Sequence, residues 1–201
     1  MDWKKRAAKL ISNILNPFLV SAIMMVLLSF SSTSSTFDAI RWSLLLIAVS
    51  VLPVFVVVVY LANRKQLDGI FVNTRRQRYK IYLLASTCAV IGCVILYYLG
   101  TPPVLMAAFV AGLSAIIVFM CINLLWKISV HSGFVAASVT VLTLLYGATG
   151  AVTAVLLPLI IWSRVKLEHH SPAQVTIGAF LAAIIVIAVF YLFEVIPLPR
   201  L

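Results

Sequence analysis

Three short stretches of this 201-residue chain hold residue types that together could move a phosphoryl group: SRVKLEHHSPAQ at 163–174, KISVHSG at 127–133 and NTRRQRYK at 73–80. Arginine offers a planar fork of donors that matches phosphate oxygens and stays charged near lipid. Histidine is the side chain that attacks phosphorus or shuttles a proton near neutral pH. Arg78 and Arg164 therefore read as an anion cradle, and the two histidines His131 and His170, from different stretches, suggest a nucleophile and an acid between them. Asp68 and Glu168 are the only acids in the loops that carry these stretches. That is too few carboxylates for a Mg²⁺ or Ca²⁺ cage, so the chemistry expected is metal-independent, with no cofactor.

The elements that must position these residues are membrane helices. The chain is 64% hydrophobic and 10% charged, with a mean hydropathy of +1.16, which excludes an ordinary soluble domain. A run of roughly 20 apolar residues spans the hydrocarbon core as a helix. Such runs lie at 10–30, 42–62, 81–99, 103–125, 132–147, 150–162 and 174–194. The expected fold is an all-α, polytopic transmembrane bundle of about seven (six to seven) spans, forming a single integral membrane domain over 1–201. The first run is long for the core of a cleaved leader and is read as retained. The sixth is short and needs to tilt. Breakers fall at GTPP (100–103), at YGATG (146–150) and at Pro172, while Pro17 and Pro53 fall inside runs as tolerated kinks. Cys88, Cys93 and Cys121 lie within apolar runs, an odd count that argues for small core residues rather than a disulfide framework.

With seven spans, the N-terminus and the loops at 63–80, 126–131 and 163–173 share one side. That side holds 13 of the 15 Lys and Arg, leaving Arg41 and Arg200 opposite. The positive-inside rule places it in the cytoplasm, in a multi-pass protein of the cell membrane. The same alternation brings Arg78, Lys127, Ser129, His131, Arg164 and His170 to similar depth, where ionisable residues are costly and mark function.

The third stretch resembles the last signature of the type 2 phosphatidic acid phosphatase superfamily, which includes lipid phosphate phosphatases and vanadium haloperoxidases. That signature is Ser-Arg, five residues, His, three residues, Asp; here it reads Ser163-Arg164, His170 and Gln174, with Gly178 following in the next helix. The second stretch resembles Pro-Ser-Gly-His as Ile128-Ser129-Val130-His131. In the first, Arg78 is similar to the arginine of Lys-six residues-Arg-Pro, with Phe71 at the lysine position and Tyr79 at the proline. The resemblance covers about 40–195 and leaves 10–30 as an extra N-terminal span. It implies a phosphohistidine enzyme: His170 the nucleophile, His131 the acid to the leaving oxygen, and Arg78, Arg164 and Ser129 on the nonbridging oxygens. Lys127 would replace the missing lysine. Gln174 would accept from the nucleophile's other ring nitrogen without the charge of an aspartate.

The implied substrate is a lipid phosphate or polyprenyl (di)phosphate at the inner leaflet. The implied partner is the bilayer; nucleic acid is not expected. The alternative is a relative that has lost its chemistry and binds lipid phosphate. A transporter fits less well, because the polar residues gather at one face rather than at the midplane. Arg75, Arg76 and Lys80 read as loop cations facing acidic headgroups, and His169 as a solvated loop residue. Trp3, Trp42, Trp126 and Trp162 read as interfacial anchors.

Overall fold

The computed structural model describes residues 2–72 and 74–196. Arg200 lies outside them, as does Asn73 at the head of the first stretch. Among the described residues the secondary structure is helical, without strands. This follows from the composition, since a segment in lipid must satisfy its own backbone polar groups. Among the described residues, five helices are long and apolar enough to cross a membrane: Thr36–Asn63, Arg75–Tyr98, Pro103–Leu125, Ala148–Lys166 and Pro172–Leu192. There are six if the pair Trp3–Ile14 and Pro17–Ser32, bent by 44°, acts as one span. Val130–Tyr146 is also apolar but has 17 residues, short of the roughly 20 of a straight crossing.

The run expected at 10–30 is thus two helices, α1 (Trp3–Ile14) and α2 (Pro17–Ser32). Pro17 has no N–H to continue α1, and it starts α2 at the first helical position. Asn16 precedes it and accepts from Leu19 N through Oδ1 at 3.0 Å. Pro53 acts differently. Between α3 (Thr36–Leu46) and α4 (Leu52–Asn63) lies a π-helical turn, Ile47–Val51, in which Leu52 N–H donates to Ile47 C=O. The wider turn makes room for a proline ring that would otherwise meet the carbonyl four residues back.

Helix α5 (Arg75–Tyr98) begins well before position 81, so Arg75, Arg76, Arg78 and Lys80 are not loop residues but sit in its first two turns. Helix α6 (Pro103–Leu125) has the expected bounds. Next comes α7 (Val130–Tyr146), which ends at Gly147, where φ is +58° and a side chain would be strained. The sixth run is longer than expected, helical from 148 to 166 through α8 (Ala148–Ala151), a 3₁₀ turn (Val152–Val155) and α9 (Leu156–Lys166). Pro172 opens α10 (Pro172–Leu192).

The chain packs as two compact units. One comprises the residues up to Ser21 and from Ile128 onward; the other is Ala22–Lys127. In the first, α10 lies along α7, and α1 and α7 both pack on α9. Its core holds Val135, Val139 and Ile160, flanked by Leu15, Val20, Leu156 and Leu157. Gly133 and Ala136 on α7 and Gly178 and Ala182 on α10 are all buried, and Gly178 stands against Ser129 and Ser132 at the start of α7. Such residues let helix backbones approach where lipid offers no hydrophobic drive between helices.

In the second unit α5 packs on α6, and Trp42 is buried at 6% exposure, inside the core rather than at an interface. Trp3 and Trp162 are exposed, as anchors would be. The cysteines are not core residues, for Cys88 and Cys93 are half-buried and Cys121 is exposed.

Candidate functional site

The spacing of the third stretch is that of one continuous helix-to-helix joint. Ser163 and Arg164 occupy the last turn of α9. His169 N–H donates to Arg164 C=O at 3.2 Å and Glu168 N–H to Val165 C=O at 2.9 Å, with Glu168 left-handed at φ +59°. That is a Schellman turn with glutamate at the position glycine usually takes. His170 follows, then Ser171, the N-cap of α10.

Ser171 and Gln174 close a capping box: Ser171 Oγ accepts from Gln174 N at 3.3 Å and Gln174 Oε1 accepts from Ser171 N at 3.2 Å. The same Oε1 lies 3.1 Å from His170 Nδ1. Because Ser171 N–H requires an acceptor, the shared atom is the amide oxygen, and His170 Nδ1 must be the donor. In the neutral ring Nε2 then carries the lone pair. The amide oxygen holds the ring through Nδ1 and carries no net charge.

Ser129 is the N-cap of α7, its Oγ accepting from Ser132 N at 3.4 Å, and His131 stands in the first turn. Ser129 N–H also donates to Gln174 C=O at 3.4 Å. A Cβ on Gly178 would stand 2.8 Å from Ser129 C=O and 3.2 Å from Ser132 Oγ. The glycine is therefore what lets α10 lie this close to the start of α7. The N-termini of two long helices meet here, and their partial positive charges favour an anion. Ser129, His131, Arg164 and His170 are all buried, and Gln174 is half-buried.

Arg164 is 1% exposed and donates through Nη1 to Ser12 Oγ at 2.7 Å, while Ser163 Oγ donates to Ala8 C=O at 2.6 Å. Both partners lie on α1, which the sequence marked for its cations, for Trp3 and for the start of an apolar run, and not for the site. Ala8 and Ser12, small residues four apart in an amphipathic helix, were the available signal. Lys5 on α1 pairs with Glu168 at 3.4 Å, an exposed contact. His169, expected to be solvated, is half-buried.

Arg78 and Lys127 belong to the other unit. Arg78 is buried, donating through Nε to Val72 C=O at 2.7 Å with Asp68 among its charged neighbours. Asp68 accepts from Thr74 N and Oγ1 at 2.7 and 2.8 Å and so fixes the approach to α5. Arg75 donates through Nη1 to Leu124 C=O at 2.8 Å. Lys127 is half-buried after α6. The unit holding both candidate histidines, His131 and His170, therefore supplies Ser129, Arg164 and Gln174 beside them. No protein-family model matches the chain, and neither does any curated protein or solved structure.

Proposed function

We propose that the protein is a membrane phosphatase that removes phosphate from a lipid phosphate or polyprenyl (di)phosphate through a phosphohistidine, without a metal. The observation that carries this reading is the shared Gln174 oxygen, which sets His170 with Nδ1 protonated and Nε2 as the nucleophilic atom. In the first step Nε2 forms a bond to phosphorus and the bond to the lipid oxygen breaks, that oxygen taking a proton from His131. In the second, water attacks phosphorus, gives its proton to His131, and the N–P bond breaks to free phosphate. Arg164 and the two helix N-termini offset charge on the nonbridging oxygens. Assignment of Arg78, Lys127 and Ser129 to phosphate contact rests on the resemblance to the type 2 phosphatidic acid phosphatase superfamily. The positive-inside bias puts the N-terminus and this site on the cytoplasmic side of the cell membrane.

One feature supports a second reading, a lipid-phosphate binder without turnover: Gln174 is a neutral amide that already serves the cap of α10. The two readings separate on phosphate release by purified protein from phosphatidic acid, phosphatidylglycerophosphate and prenyl mono- and diphosphates, with chelator present. Release that survives chelator and disappears in His170→Ala, with the variant still folded, is the expected result. Silence across the panel from folded protein that still binds vesicles containing phosphatidic acid would instead favour the binder.

A further inference from the structure

We infer that α1 is a positioning element for the phosphate-binding arginine, with Ser12 as the residue that aims the Arg164 guanidinium; the inference rests on the phosphatase reading above. A buried guanidinium repays its desolvation only when its donors are engaged in good geometry. Ser12 Oγ takes one Nη1 donor at 2.7 Å, with Ser12 itself 3% exposed. One helical turn earlier, Ala8 C=O holds the neighbouring Ser163 hydroxyl at 2.6 Å. Two successive residues of α9 are thus gripped by α1 across 152 and 155 positions of sequence.

The pattern on α1 is that of a helix with three assigned faces. Ala8 and Ser12, four apart, face α9 and are buried. Trp3, Leu10 and Ile14 form an exposed apolar stripe, and Arg6, Lys9 and Asn13 an exposed polar one. The apolar and basic faces suit the bilayer interface, which leaves the small-residue face for the protein.

Since Arg164 C=O is also the acceptor for His169 N–H, the residue gripped by α1 anchors the turn that presents His170. A guanidinium fork acts through direction, because it matches phosphate oxygens in few orientations. Loss of the Ser12 acceptor therefore weakens phosphate binding before it affects the bond-breaking step.

The test uses full-length protein in nanodiscs, comparing Ser12→Ala, Ser12→Thr and Arg164→Ala for kcat, KM and inhibition by inorganic phosphate. Ser12→Ala should raise KM and the phosphate inhibition constant on the order of tenfold, with a much smaller change in kcat. Ser12→Thr, which keeps the hydroxyl, should restore both. Ser12→Cys, which keeps the volume and weakens the acceptor, replaces the alanine variant if that fails to fold. Wild-type KM and phosphate inhibition in Ser12→Ala, with activity lost in Arg164→Ala, would overturn the positioning role and leave the phosphatase reading intact. If Arg164→Ala turns over and binds phosphate like wild type, the role of the arginine and its positioning by Ser12 fall while the phosphatase reading stands. Phosphate-dependent thermal stabilisation gives the same comparison without turnover, and its absence in a wild type that also releases no phosphate overturns both the reading and the inference.

Discussion

At the residue scale the candidate site turns on one oxygen. Gln174 Oε1 serves a capping box and a histidine together, so a change there acts on helix and ring at once. Glutamate at 174 keeps the reach and the cap, adds negative charge at a helix N-terminus, and makes the bond to His170 charge-assisted. Gln174→Glu should raise kcat by about tenfold, the strengthening a charged acceptor brings, as the phosphorylated ring gains a counter-charge. Steady-state kinetics check this; a fall in kcat would mean the pocket needs the neutral amide. His131 is tested by leaving group. His131→Ala should slow release from a prenyl monophosphate by roughly 10²–10⁴-fold. With p-nitrophenyl phosphate, whose leaving oxygen needs no proton, the first-step burst of nitrophenol should be far less affected, while the water step common to both substrates is slowed alike. Equal losses in the first step on both substrates would remove His131 as the acid. The third stretch was readable at this scale because a helix end, a turn and a cap are local, and their residue spacing is fixed by backbone geometry. The pair Ala8 and Ser12 marked a packing face, but the partner of Ser12 was not readable, since nothing in its neighbourhood along the chain points to Arg164.

At the element scale the joint between α9 and α10 carries a visible cost. Glu168 holds a left-handed conformation that glycine adopts freely, at roughly 1–2 kcal/mol for an ordinary residue. Glu168→Gly should raise stability by about 1 kcal/mol, part of the relief being offset by the greater freedom of glycine in the unfolded chain. The ion pair to Lys5 that it removes is exposed on both sides and offsets little. Thermal unfolding in detergent reads the effect, and Glu168→Ala, which keeps the strain, should show no gain. Gly178→Ala acts in the opposite sense. Its Cβ meets the backbone oxygen of Ser129, which cannot rotate away, so overpacking by about 1–3 kcal/mol is expected, together with reduced activity as α7 and its His131 shift. Unaltered stability and activity would show that the seam can open without consequence. Prolines and glycines made the element boundaries legible at 100–103, 147 and 172. The early start of α5 was not, because its first turns are rich in cations that read equally well as loop.

At the scale of the molecule, orientation decides which pool of substrate the site meets. Arg76 is exposed in the first turn of α5, and Arg76→Cys in a background lacking Cys88, Cys93 and Cys121 gives a single reporter. Impermeant maleimide should label it only after access to the cytoplasmic side. Labelling from outside intact cells would reverse the topology and direct the search to outward-facing lipid phosphates. The expected count of about seven spans meets a chain with five long apolar helices, a bent pair and a 17-residue helix. The bent pair changes the reading most, since α1 leaves the role of half a span and becomes the partner of α9.

By itself the sequence determined that the chain lies in a membrane as helices, where most of them break, and that Ser163, Arg164, His170 and Gln174 keep a helix-to-helix spacing. Each of these depends on hydropathy or on backbone geometry within a short segment. Only the tertiary structure decided that Ser12 and Ala8 hold the end of α9, that Ser129 meets the backbone of Gln174, and that Trp42 is core. Helix faces in lipid are apolar whether they meet lipid or protein. The pattern that tells inside from outside in a soluble helix is therefore missing, and the partners of each face emerge only when the helices are packed.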